Sequence, residues 1–236
     1  YIFRTKMAAQ HEGVVAAQYL KNVIRPTSIA FLYQNSDYGV GVFNAFTKEL
    51  QGSIPVVSEQ KFEKGAVDMR TQITEIVSKK PELVIVAGFP KEVGQVLRQS
   101  GEIKSGLKFF AHSGSIGPDI EAVAGEYSVG LRYLTELNRS TEEFKQFNVK
   151  YKLLYGVEPE LFAANAYDAL SLIVNALRVC GEDTVCVQQN IANTKEYTGV
   201  SGNITFDSNG DITGRRLSCM EIVKNKLSLE HISCGI

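Results

Sequence analysis

DMRTQITEIVSKKPELVIVAGFPKEVGQVLRQSG, residues 68–101, carries in one stretch the pattern that decides the fold. Met69, Ile73, Ile76 and Val77 recur at three- and four-residue spacing and so line one face of a helix. Leu83 to Ala87 (LVIVA) is a continuous apolar run, the signature of a strand covered on both faces. The loop GFPKE follows it, and Val93, Val96 and Leu97 then line a second helix, with Gly101 where a C-cap falls. Helix, buried strand, loop, helix is the grammar of a parallel sheet whose crossovers are helices.

Working outward, the same unit recurs through the first half of the chain. Strand-like runs lie at Ile29 to Tyr33 (IAFLY), Val56 to Ser58 extending toward Phe62, Leu107 to Ala111 (LKFFA) and Val129 to Leu134 (VGLRYL). A helix from about Ala8 to Ile24, closed by Pro26, precedes them. The expected fold class is α/β, a parallel sheet flanked by helices. After Leu134 the pattern changes to helices without intervening strands, at Thr141 to Tyr155, Pro159 to Cys180 and Thr184 to Asn193. The second carries an apolar stripe through Phe162, Ala166, Leu170, Ile173, Val174 and Leu177 that must pack on something. GNITFDSNGD then reads as a short strand and turn, and LSCMEIV with LSLEHISC as a hairpin around Lys224 to Lys226. YIFRT, at the start, reads as a strand or crossover arriving from elsewhere, so the chain is expected to begin in the middle of a fold.

Composition narrows the function classes. A chain of 236 residues that is 44% hydrophobic, with a formal net charge of -1, makes one large domain or two lobes. Lys and Arg are scattered among Asp and Glu, so no nucleic-acid partner is expected. No stretch approaches the ~20 apolar residues that cross a bilayer. There is no GxSxG, HExxH or P-loop, and no nucleophile stands beside a base, so no enzyme and no cofactor are expected. Gly39-x-Gly41 lacks the third glycine of a dinucleotide loop, since Asn44 stands there, and a flavodoxin-like or Rossmann enzyme would rest on the strand-loop-helix repeat alone. Asn138-Arg139-Ser140 and Asn203-Ile204-Thr205 match a glycosylation triplet too common by chance to use.

Of the four cysteines, Cys180 and Cys186 flank the short turn GEDTV, and Cys219 and Cys234 sit on opposite arms of the C-terminal hairpin. This placement favours two local disulfides and an oxidising compartment, with buried free thiols in a reducing one as the alternative. No paired CxxC spacing calls for zinc.

A ligand on an open parallel sheet sits beyond the C-terminal ends of the strands. Three loops reach that rim: QNSDYGVG, GFPKE and HSGSIGP. They bring Tyr38, Phe89, His112, Ser113 and Ser115 toward one edge, a set better suited to holding a small molecule than to acting on it. Tyr38 and Phe89 could equally be loop anchors over the sheet edge, and His112 could be a hydrogen-bonded loop histidine.

The order YIFRT, NSDYGVGVFNAFTKEL, DMRTQITEIVSKKPELVIVAGFPKEVGQVLRQSG, FAANAYDALSLIVNALRVCG, GVSGNITFDSNGD resembles the leucine/isoleucine/valine-binding proteins of ABC transporters, the type I periplasmic binding fold. The resemblance spans nearly the whole chain. It implies two lobes crossed three times by the chain and closed on a small ligand. It makes residues 5–134 and 215–236 the second lobe and residues 138–214 a partial first lobe, whose sheet-forming opening segment is expected to be absent here. It further implies an extracytoplasmic protein, soluble or lipid-anchored through that segment, with an ABC permease as membrane partner. A ligand-sensing regulatory module of the same fold is the alternative. Tyr38 and Phe89 match positions where the family places aromatic contacts. Ser113 falls where the family places an acid against the ligand amino group, and a neutral hydroxyl cannot form that ion pair. The resemblance therefore leaves open a branched-chain amino acid, a related carboxylate or an amide.

Overall fold

Five strands pair side by side in parallel: β1 (Ile29–Gln34), β2 (Val56–Phe62), β3 (Leu83–Ala87), β4 (Phe109–Ala111) and β5 (Arg132–Thr135). A short antiparallel hairpin, β6 (Tyr197–Gly199) with β7 (Gly202–Ile204), comes later. The antiparallel pair β8 (Ser218–Asn225) and β9 (Ser228–Ser233) completes a seven-stranded sheet of order β2-β1-β3-β4-β5-β8-β9. The structure is a computed structural model, and it describes residues 2–225 and 228–233.

β1 and β3 are buried at every residue, as their unbroken apolar runs require. β2 lies at the sheet edge and alternates, burying Ser58 and Phe62 while Glu59 and Lys61 face solvent. Charge on the exposed face blunts the edge against pairing with other chains.

The helices that cover the sheet are α1 (Ala9–Tyr19), α2 (Asp37–Leu50), α3 (Arg70–Lys79), α4 (Pro90–Glu102) and α5 (Pro118–Ala124). One core joins Leu32, Val84 and Val86 of the strands to Ile73 and Ile76 of α3 and Val93, Val96 and Leu97 of α4. α1 runs on into a single wide turn, Leu20–Ile24, and ends at Arg25 in the left-handed region, ahead of Pro26. α1 and α2 cross closely at Gly13, where a Cβ would stand 2.6 Å from the carbonyl oxygen of Val42.

The chain divides into two compact units, the larger Ala9–Leu134 with Cys219–Ile236, the smaller Tyr1–Ala8 with Thr135–Ser218. The sequence reading placed residues 5–8 and 215–218 with the larger unit, and the structure places them in the smaller. The reason is Glu136. Its fully buried carboxylate takes Lys6 Nζ at 3.0 Å, the Met7 amide at 3.1 Å and Arg215 Nη1 at 3.1 Å. Arg215 also donates to Asn165 Oδ1 at 3.2 Å and Ser201 Oγ at 2.8 Å. Burial pulls the Arg215 guanidinium below its ordinary pKa, and the charge and hydrogen bond of Glu136, then the charge of Asp168, push it back.

The smaller unit carries α6 (Glu142–Tyr155), α7 (Leu161–Cys180) and α8 (Thr184–Ala192). Thr141 and Asp183 cap α6 and α8, the Asp183 carboxylate accepting from the Val185 and Cys186 amides at 2.9 and 3.0 Å. α7 turns inward Leu161, Ala164, Asn165, Asp168, Leu172 and Ala176. The apolar stripe read from its sequence faces outward: Leu170 is 61% exposed and Phe162, Ile173 and Leu177 between 41% and 44%. Asp168 belongs inside because it accepts from the backbone amides of Val200 and Ser201, at 2.8 and 2.7 Å.

Cys180 and Cys186 form a disulfide with a Cα separation of 5.6 Å. The pairing expected for Cys219 lies outside the described residues, because Cys234 does.

Two stability predictions follow from the smaller unit. Glu136→Gln keeps the shape but leaves the Arg215 charge buried without its counter-ion, and is expected to destabilise the unit by ~3 kcal/mol in urea unfolding. A loss below ~1 kcal/mol would show that the network does not hold the three segments. Replacing Cys180 and Cys186 together by Ser is expected to remove ~2 kcal/mol, the loop-closure value for so short a loop, read as a lower thermal midpoint under non-reducing conditions and no difference under reducing ones.

Candidate functional site

The rim of the larger unit is built by glycines at strand ends. β1 stops at Gln34, and Ser36 turns the chain into α2 by accepting from the Gly39 amide at 3.3 Å. A Cβ on Gly39 would lie 2.1 Å from the Gln34 carbonyl oxygen, so only glycine lets helix and strand approach this closely. The turn sets Tyr38, half-buried, in the first turn of α2.

After β3, Gly88 donates its amide to Ser115 Oγ at 3.2 Å, which ties the β3 loop to the β4 loop. Phe89, 41% exposed, follows as the N-cap of α4, with Pro90 at the first helical position. After β4, Ser113–Ser115 make one turn of 3-10 helix. Gly114 lies against Tyr38, whose phenolic oxygen would be 2.5 Å from a Cβ there.

The three loops bring Tyr38, Phe89 and Ser113 together. The Tyr38 and Phe89 rings stack with centroids 6.1 Å apart and planes 20° from parallel. Ser113 Oγ donates to Glu12 Oε1 at 2.8 Å, and Tyr38 Oη donates to Glu12 Oε2 at 3.2 Å. Ser113 and Glu12 are 2% and 1% exposed. His112 is placed differently. It is buried in the interior of the unit, its ring 6.4 Å from that of Phe31 and 6.2 Å from that of Phe46. Ser115 is spent on the loop tie to Gly88.

Glu12 is the residue that the sequence reading missed. It reaches the rim because α1 crosses α2 closely at Gly13. Its signal lies in the helix periodicity: Glu12, Ala16 and Leu20 are buried at four-residue spacing, so a carboxylate stands in register with an apolar stripe. Among the described residues no three His, Cys, Asp or Glu side chains converge as metal ligands do. A concavity of about 200 Å³ beside Leu97, Gly101, Lys104 and Tyr127 lies near the starts of β4 and β5, at the other end of the strands.

A sheet of this order with aromatic and hydroxyl groups gathered at its strand ends is the architecture of a type I periplasmic binding protein. A family model described as periplasmic binding protein matches residues 1–226, and the chain belongs to that family, one of binding proteins rather than enzymes. It is 27% identical over 217 residues to a leucine-, isoleucine-, valine-, threonine- and alanine-binding protein of Pseudomonas aeruginosa, covering 89% of this chain and 57% of that one. Among solved structures, the substrate-binding protein of a branched-chain amino acid transporter of Streptococcus pneumoniae, in complex with isoleucine, superposes with a TM-score of 0.82 at 21% identity. That match covers 95% of this chain and 65% of the other. A solute-binding protein of an ABC transporter from R. palustris, in complex with benzoate, superposes with a TM-score of 0.87 at 17% identity, over 99% and 64% of the two chains. The chain thus spans less than two thirds of the length of each of these three relatives.

The contact between Gly114 and Tyr38 is testable alone. Gly114→Ala must displace the Tyr38 ring or its own loop, and is expected to lower stability by ~1–3 kcal/mol, measured by thermal or urea unfolding. An unchanged midpoint would mean that the two loops do not hold each other.

Proposed function

We propose that this chain is part of the solute-binding component of an ABC importer and that it takes its ligand at the rim of the larger unit. The observation that carries the reading is the stacked pair of Tyr38 and Phe89 beside the buried hydroxyl of Ser113. Two aromatic faces give a flat apolar wall, and a small number of fixed polar groups sets orientation, which is how small-ligand sites are built. The family is one of binding proteins rather than enzymes, which supports reading the arrangement as one that holds a molecule without changing it. The ligand class is a branched-chain amino acid or a related carboxylate or amide, supported by the names of the relatives. The partner is a membrane permease of the same transporter. The disulfide between Cys180 and Cys186 supports an extracytoplasmic setting, where such bonds persist, and among the described residues no helix is long and apolar enough to cross a membrane.

Titration calorimetry of the full-length protein against amino acids and aromatic carboxylates tests the reading. Tyr38→Ala and Phe89→Ala are each expected to weaken the best ligand by ~1 kcal/mol or more, the Phe89 variant with an unfolding midpoint close to that of the unaltered protein and the Tyr38 variant with a lower one, because it strips a donor from buried Glu12. Unchanged affinity in both variants would place the site elsewhere.

A further inference from the structure

Ser113 is neutral, but it does not stand alone: the Glu12 carboxylate lies directly behind it at 2.8 Å and touches the Tyr38 hydroxyl at 3.2 Å. A hydroxyl has one proton to give, and a carboxylate only accepts. The two hydroxyls donate to different oxygens of the same carboxylate, Ser113 to Oε1 and Tyr38 to Oε2, so neither displaces the other. Having spent its proton on Glu12, each hydroxyl oxygen can only accept from any further group.

We propose that Glu12 is the positioning residue that sets the polarity of the rim site, so that it takes a ligand head group that donates hydrogen bonds, an ammonium before an amide or hydroxyl, and turns away a carboxylate. The assignment rests on the ligand-binding reading above and names the head group for that same site. A carboxylate placed against Ser113 and Tyr38 would meet two acceptor oxygens with a buried negative charge behind them, and like charge at that distance in a water-poor setting opposes binding. An ammonium would meet the same oxygens as acceptors, with the charge of Glu12 in its favour. The faces of Tyr38 and Phe89 act in the same direction, because an aromatic face attracts a cation. The negative charge that the sequence lacks at position 113 is thus delivered from α1, through the serine.

The test uses three probes with the same branched aliphatic body: leucine, isopentylamine, which has only the ammonium, and isocaproate, which has only the carboxylate. Calorimetry on the full-length protein is expected to show leucine and isopentylamine binding at least about ten-fold tighter than isocaproate. Glu12→Gln puts an amide donor behind the hydroxyls, which turns one proton back toward the ligand. It is expected to lose about ten-fold on isopentylamine, to gain on isocaproate, and so to collapse the ratio between them. A loss of fold in the variant would move all three probes together and shows as a shifted unfolding midpoint. In that case the single change Ser113→Ala, which leaves Glu12 in place and still bonded to Tyr38, is expected to weaken isopentylamine several-fold with no gain on isocaproate. An unaltered protein that prefers isocaproate, or a ratio unchanged in the variants, would overturn the assignment of Glu12 while leaving the ligand-binding reading intact. Failure of all three probes to bind the unaltered protein would likewise overturn the assignment of Glu12, while the ligand-binding reading falls only if the wider set of amino acids and aromatic carboxylates also fails to bind.

Discussion

The smaller unit depends on one buried carboxylate. Glu136 gathers Lys6 and the Met7 amide from one segment and Arg215 from another, which no local hydrogen bond would bring to it. Removing two cations and an acid from water is unfavourable, and the arrangement holds because its charged groups are answered, Arg215 by Asn165 and Ser201 as well as Glu136, and Ser201 by Asp168, with Arg215 Nε and Asn165 Nδ2 left over among the described residues. The apolar clusters are arranged around that network. Met7, Leu172, Ile204, Phe206 and Ile212 pack as one, and Leu137, Phe144, Phe147 and Leu161 as another.

The larger unit works by the opposite means. Its framework is an apolar sheet and its polar chemistry is pushed to the strand ends, where glycines permit close approaches. Gly39 brings α2 onto Gln34, Gly13 brings α1 onto α2, and Gly114 brings the β4 loop onto Tyr38. Each removes a side chain so that another can be placed, and the side chains so placed are Tyr38, Glu12 and Ser113. A rim of this kind is held by the backbone packing beneath it, which favours a fixed geometry over an adaptable one.

The sheet was legible in the sequence because its central strands are covered on both faces, and a run such as LVIVA has few other uses. Tyr38, Phe89 and Ser113 were legible because parallel strands send all their following loops to one end, whatever their order. Glu12 was hidden by the habit of treating a lone acid in a helix as solvated, although its spacing with Ala16 and Leu20 marks it as inward. α7 is the reverse case. Apolar periodicity names a face that seeks cover, and here Leu170 and Ile173 lie exposed while Asn165 and Asp168 are taken inward by specific partners, the Arg215 guanidinium and the backbone amides of Val200 and Ser201. The boundaries at residues 5–8 and 215–218 were missed for the same reason, since a charged network leaves no periodic trace.

The discontinuity of the two units also has a consequence for the order in which the chain is made. The sheet from β1 to β5 with its helices lies within residues 9–134, so most of the larger unit's core is available once that stretch has left the ribosome. The smaller unit cannot close so early: Thr5 bonds to a residue 160 positions later, and Lys6 waits 130 positions for Glu136 and longer for the arginine that completes the network. Contacts of such separation close late and slowly. During synthesis the larger unit can therefore shape its rim, with Glu12, Tyr38 and Ser113 in place, while residues 5–7 still await the partners that will fasten them.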